Sequence, residues 1–291
     1  LSVSNEFLIE NQDKDWDWEQ LSKGLKIVID KELLEKTKQR AWDWGCLSSN
    51  PALRITLADL LSLEISNWDW IALSERNDIE FDNESIITTI DKPQITWDWS
   101  LLSSRKDLIY DENLIFKIVQ KPMDWKCVSS MNTFVPSVNV LSKISSYDLD
   151  WDAISQNKSL TKDVLWPYRD KLNWHYISQS ESFQKMGAEF FSKYRAYLDW
   201  SVISNSPDFS LSVDNLHMFR NNVNWSIIKQ RNDFEYTNEI IDNFPDHITW
   251  SAASKATTID FSIEFVTKYI DKWDWVALLE NPKIIENAEM Y

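Results

Sequence analysis

The feature that most constrains this chain is a tryptophan that returns at a nearly fixed interval. Anchor Trp residues stand at positions 18, 44, 70, 99, 125, 151, 174, 200, 225, 250 and 275, so successive anchors lie 23 to 29 residues apart. Five of them carry a second Trp two residues earlier: Trp16, Trp42, Trp68, Trp97 and Trp273. Sixteen of the 17 Trp fall in these two columns, and Trp166 alone is off register. A period of this length is the mark of an array of small stacked units, none of which can bury its apolar face by itself.

The columns around the anchor say what each unit is. Before it stands Asp17, Asp43, Asp69, Asp98, Asp124, Asp150, Asn173, Asp199, Asn224, Thr249 or Asp274. Each of these types can cap a helix by accepting a hydrogen bond from a first-turn N–H. One residue earlier the chain is always apolar: the five Trp, then Met123, Leu149, Leu172, Leu198, Val223 and Ile248. Three residues after the anchor it is apolar again, from Leu21 and Leu47 to Ala253 and Leu278. Apolar residues at N′ and N4 around a cap form a hydrophobic staple, so the signature predicts a helix start repeated eleven times.

Ser follows the N4 residue in nine repeats; Lys229 and Leu279 break the column. No base accompanies each Ser, and a small residue bonding back to the preceding turn is the expected role. Twelve residues after most anchors a second cap appears (Asp30, Thr56, Asp82, Asp111, Ser137, Ser212, Thr237 and Ser262), with Thr161 ten residues after Trp151. The apolar spacing beyond it is one face of a second helix. Pro93 and Pro122 mark where two of these second helices stop. The fold expected is therefore all-α: an α-solenoid of about eleven two-helix repeats of about 26 residues, forming a single domain over 1–291. At 8–10 Å between packed helices such an array would be on the order of 100 Å long.

Composition agrees. There are 3 Gly, where average usage gives roughly 20. That scarcity removes the phosphate loops, dinucleotide folds and tight hairpins that need φ > 0. The formal net charge of -16 opposes binding to nucleic acid and to anionic membranes. No run of about 20 apolar residues offers a membrane span.

The run from Trp44 through Leu53, Trp-Gly-Cys-Leu-Ser-Ser-Asn-Pro-Ala-Leu, resembles the tandem Trp-x-x-Leu-Ser-x-Asn-Pro repeats of proteins from large DNA viruses and some bacteria. Trp275 through Pro282 is similar, with Leu279 in place of Ser. The Trp and Leu-Ser columns carry the resemblance along nearly the whole chain, while the Asn-Pro element survives in these two units. The resemblance implies helical tandem repeats and no established enzymatic activity.

Catalytic constellations are missing from the sequence. His175, His217 and His247 lie in different units and in no metal-ligand spacing. Cys46 and Cys127 occupy equivalent positions three units apart, too far for a disulfide, and are expected to be buried free thiols in a reducing compartment. No catalytic residue, metal site or cofactor is expected, and a cytoplasmic setting is. The first residues read as half a unit (Ser4-Asn5-Glu6-Phe7-Leu8), and Asn281 to Tyr291 as part of another. The chain is thus expected to be a segment of a longer protein.

The departure from consensus lies between 151 and 200, where the first unit shrinks to 23 residues and holds Trp166 and Pro167. Near it come Tyr168, Arg169, His175, Tyr176, Tyr194, Arg195 and Tyr197. This stretch has seven bases and six acids, net +1, against -17 for the rest. Aromatic residues and Arg together are typical of recognition surfaces. The same aromatics could also repack a deformed unit. The expected function is a non-catalytic repeat scaffold, a protein-interaction or sensor segment with an acidic surface, whose partner is another protein or another domain of its own chain. The alternatives are a nucleic-acid-associated repeat using the Arg/Tyr patch at 166–197, and a regulatory segment of a larger enzyme.

Overall fold

The computed structural model describes residues 3–24 and 26–289, and every named element in them is helical. Among these residues there are 24 α-helices of four to eight residues and one short 3-10 helix. β structure is limited to two isolated parallel bridges, Ile29 with Leu53 and Tyr110 with Phe134. The chain parts into two compact units, 1–172 and 173–291. Each is an all-α tandem array.

Helix starts fall where the signature puts them. Every anchor Trp is the first residue of a helix, as in Trp44–Ser49 and Trp70–Glu75 of the first unit and Trp200–Asn205 of the second. The cap side chain accepts the expected first-turn bond in ten repeats, for example Asp43 from the Cys46 N–H and Asp274 from the Ala277 N–H. Thr249 makes no such bond. All eight second caps at the twelve-residue spacing accept from their helix. Thr161 precedes its helix without a side-chain bond, and Trp166 ends that helix after Leu165. Ser4 caps Asn5–Glu10, the half unit at the beginning. At the other end Pro282–Glu289 is helical, while Met290 and Tyr291 lie outside the described residues.

The staple columns are the core. Leu47, Leu73, Leu102, Val128, Ile154, Ile177, Ile203, Ile228, Ala253 and Leu278 are all buried, as are Trp42, Trp68, Trp97 and Trp273. Within each unit, anchors meet the N′ Trp of the following repeat. Trp18–Trp42, Trp44–Trp68, Trp70–Trp97 and Trp250–Trp273 form edge-to-face pairs with ring centroids 4.9–5.0 Å apart. That geometry sets the positive edge of one ring on the negative face of the next.

Candidate partner-binding surface and the repeat junctions

The recurrent Ser column does more than bond backwards. Seven hydroxyls donate to the anchor carbonyl four residues earlier at 2.6–2.8 Å: Ser22, Ser48, Ser74, Ser103, Ser155, Ser204 and Ser254. The oxygen then accepts from the backbone N–H of the next repeat's cap residue. This second bond is 2.8–3.1 Å long at eight junctions, from Asp43 N–H to Ser22 through Asp274 N–H to Ser254. Ser is thus a latch between repeats. No such latch can form between Lys229 and Thr249.

A second fastening escaped the sequence reading. The residue six after the anchor reaches back to carbonyls at or just beyond the C-terminal end of the previous repeat's first helix. Asn50 donates to the Ser22 and Gly24 carbonyls, Asn157 to that of Phe134, and Asn281 to those of Ser254 and Ala256. Arg76 fills the same position and donates to the Asn50 and Leu53 carbonyls while gripping Asp78. Arg105 does likewise to Arg76, Ile79 and Asp107, is 3% exposed, and lies 3.7 Å above the Phe81 ring. Arg231, with Asp233, makes a longer version to the Ser204 carbonyl. The signal was present as three Arg-x-Asp triplets at one repeat position.

The patch residues divide between the two units. In the first, Trp166 is 49% exposed, and the Arg169 guanidinium lies 4.7 Å from its ring centroid while donating to its carbonyl. Arg169 also lies near Asp170, at 3.7 Å. Tyr168 is partly buried and stacks on its own anchor Trp151 at 5.6 Å; burial raises its phenol pKa. Lys171 covers the same indole at 5.1 Å and donates to the Ser145 carbonyl.

In the second unit, Tyr194 is 2% exposed and packs against Trp174 and Phe190. It belongs to the core, not to a recognition surface. Tyr197 stacks on Trp174 at 5.1 Å. Arg195 is exposed, yet it is tied to the next helix through the Met218 carbonyl and the face of Phe219. His175 is bonded at Nδ1 to Asp199, 2.7 Å away, and at Nε2 to Gln179, 2.8 Å away; its ring meets Tyr176 edge-on. The bond to His175 holds the Asp199 carboxyl below its usual pKa range.

Tyr168 and Tyr194 fall in a column that the Trp signature had hidden. They stand five residues before the next cap, as do Phe219, Phe244 and Tyr269. Each packs on its own repeat's anchor at 5.0–5.6 Å. From Trp151 to Trp225 the N′ residue of the following repeat is aliphatic, and an aromatic ring from this column takes over the contact with the anchor. Tyr168, Tyr194 and Tyr197 therefore pack on the anchors of their own repeats, while Trp166, His175 and Arg195 are exposed.

Among the described residues no group of three or more His, Cys, Asp or Glu is placed to hold a metal, and no helix is long and apolar enough to cross a membrane. Cys46 and Cys127 are free thiols but only partly buried, not buried as expected, because their helix face opens toward solvent. A bond to the Asp43 carboxylate raises the pKa of the Cys46 thiol, and burial raises that of Cys127. Set against known proteins, the chain matches no family model, no curated protein and no solved structure.

Proposed function

We propose that this chain is a non-catalytic repeat scaffold that holds a protein partner, with the Trp166–Arg169 face as the point of engagement in the first unit. The observation that carries this reading is the half-exposed indole of Trp166, which stands outside the anchor and N′ columns and has a guanidinium against its ring. Trp and Arg are the side chains that most often dominate binding energy when an interface closes over them. The Ser hydroxyls, which a catalytic reading would need, are occupied as latches. The acidic chain outside 151–200 favours a partner carrying basic side chains beyond the apolar socket that takes Trp166. Kinship with Trp-x-x-Leu-Ser repeat proteins and a cytoplasmic setting are part of the same proposal.

The test uses cross-linking in cells followed by purified reconstitution with whatever protein is captured. Trp166→Ala with Arg169→Ala should weaken that complex by tenfold or more, about 1.4 kcal/mol, with helical content unchanged. Undiminished affinity would move the partner to another face. Duplex and single-stranded DNA at low salt serve as the counter-test: binding that falls steeply as salt is added would favour a nucleic-acid role instead.

A further inference from the structure

Within the first unit, the Trp70 repeat departs from the others in a way that builds a cavity. It is the longest repeat, 29 residues from Trp70 to Trp99. Its second cap, Asp82, keeps the twelve-residue spacing, so the three additional residues fall between Asp82 and the next cap, Asp98. The helix Asn83–Thr89 is followed there by an enlarged loop that holds Lys92, Gln94 and Ile95. With Glu64, Ile65 and Trp70 these residues line a cavity of about 350 Å³. That size is near the lower end for small-molecule sites, about 300–1,000 Å³.

At this cavity a bond that other repeats make is not made. The Nε1–H of Trp200 and that of Trp225 donate to the carbonyls five residues earlier, of Arg195 and Arg220. For Trp70 the corresponding residue is Ile65, yet the Trp70 Nε1–H is buried with no acceptor among the described residues. Trp70 itself is 4% exposed. Trp68 loses its partner at the same segment. Trp42 donates to the Thr37 hydroxyl five residues back, but Leu63 holds that position for Trp68, and its Nε1–H is also without an acceptor. Directly after Leu63 comes Glu64 at φ +54°, the one non-Gly residue with positive φ among those described. Backbone strain beside a buried, unsatisfied donor is the combination found where a ligand completes a site.

The lining dictates the chemistry of that ligand. Leu60, Leu61, Ile65 and Ile95 supply apolar surface, Glu64 a negative charge and Lys92 a positive one. A buried N–H calls for an oxygen, and a carboxylate satisfies it more strongly than a neutral carbonyl does. We propose that this cavity binds a free apolar α-amino acid. Its carboxylate replaces the Ile65 carbonyl as acceptor for the Trp70 Nε1–H and pairs with Lys92. Its ammonium pairs with Glu64, and its side chain lies on Leu60, Leu61 and Ile95. Because the indole N–H is sealed from solvent, the turn at 64–66 moves aside as the oxygen enters, and the strain at Glu64 lowers the cost of that movement. The site is separate from the Trp166–Arg169 face and stands without it.

Titrating the ¹⁵N-labelled full chain with leucine tests this on the indole N–H resonances. The Trp70 signal, identified by its contact with the Trp97 ring, should move as its proton gains an acceptor. Isocaproate lacks the ammonium, isoamylamine lacks the carboxylate and glycine lacks the side chain; each should bind tenfold or more weakly than leucine. Glu64→Asn keeps a residue type that tolerates positive φ, and should weaken leucine by tenfold or more without changing isocaproate. Lys92→Ala should weaken both. Glu64 and Lys92 are exposed, so the fold survives either change. A Trp70 signal unmoved by millimolar leucine, isocaproate or isoamylamine binding as tightly as leucine, or undiminished leucine affinity in Glu64→Asn would each overturn the site.

Discussion

At the scale of single residues, the strongest constraint is a hydroxyl that works twice. Ser74 is buried, donates to the Trp70 carbonyl at 2.7 Å and accepts from the Asp98 N–H at 3.1 Å. Ser74→Ala removes both bonds and leaves the Asp98 N–H without its acceptor. The expected cost is about 1–3 kcal/mol, read as a lower urea midpoint with an unchanged slope. A midpoint equal to the parent's would show that water replaces the latch. The sequence revealed Ser as a column but not as a latch, for a physical reason. Its partner is a backbone N–H, which every residue except Pro possesses, so the pairing leaves no trace in the partner's identity. The carbonyls gripped by Asn50, Arg76 and Arg105 are silent in the same way.

Helix starts were legible because capping and stapling require particular side chains at fixed offsets, from Asp17 to Asp274. The second half of the Trp174 repeat was not legible, since Met186 occupies its second-cap position and cannot cap. There the structure inserts a short helix, Glu181–Gln184, and begins the next with Gly187 at φ +68°. A Cβ on Gly187 would meet nothing within 4 Å, so any penalty is conformational. Gly187→Ala should therefore cost about 1 kcal/mol in a thermal or urea melt of the purified chain. A stabilised variant would mean that the turn before this helix relaxes to an ordinary φ. The candidate surface was half legible: sequence located the aromatic cluster, but burial alone separated Tyr194 from Trp166.

For the molecule as a whole, the carboxylates shape the response to acid. Arg76 lowers the pKa of Asp78, Arg231 that of Asp233, His175 that of Asp199 and Lys268 that of Asp242. Burial works against the charge on Asp107, but Arg105 and the Phe81 N–H together outweigh it and the net shift is again downward. A depressed folded pKa contributes stability that is complete above the unfolded value, near 4, and fades as pH falls through the folded one. Stability should hold between about pH 7 and 5 and decline below about pH 4. Urea midpoints across that range check it; a steady decline beginning at neutral pH would assign the acid response to other groups.

The latches keep nearly one length while the chain between them does not. Latch and cap are 21 residues apart at Ser22, Ser48, Ser103, Ser129 and Ser178, 24 at Ser74, and 20 at Ser204 and Ser254. The three additional residues after Ser74 are taken up before Asp98, and the bond there still forms. Gains and losses of chain are therefore absorbed between fasteners without disturbing them. Such an array can differ in loop length from unit to unit while its Ser latches still close. The segment between Thr89 and Asp98 is the natural place to graft a foreign loop.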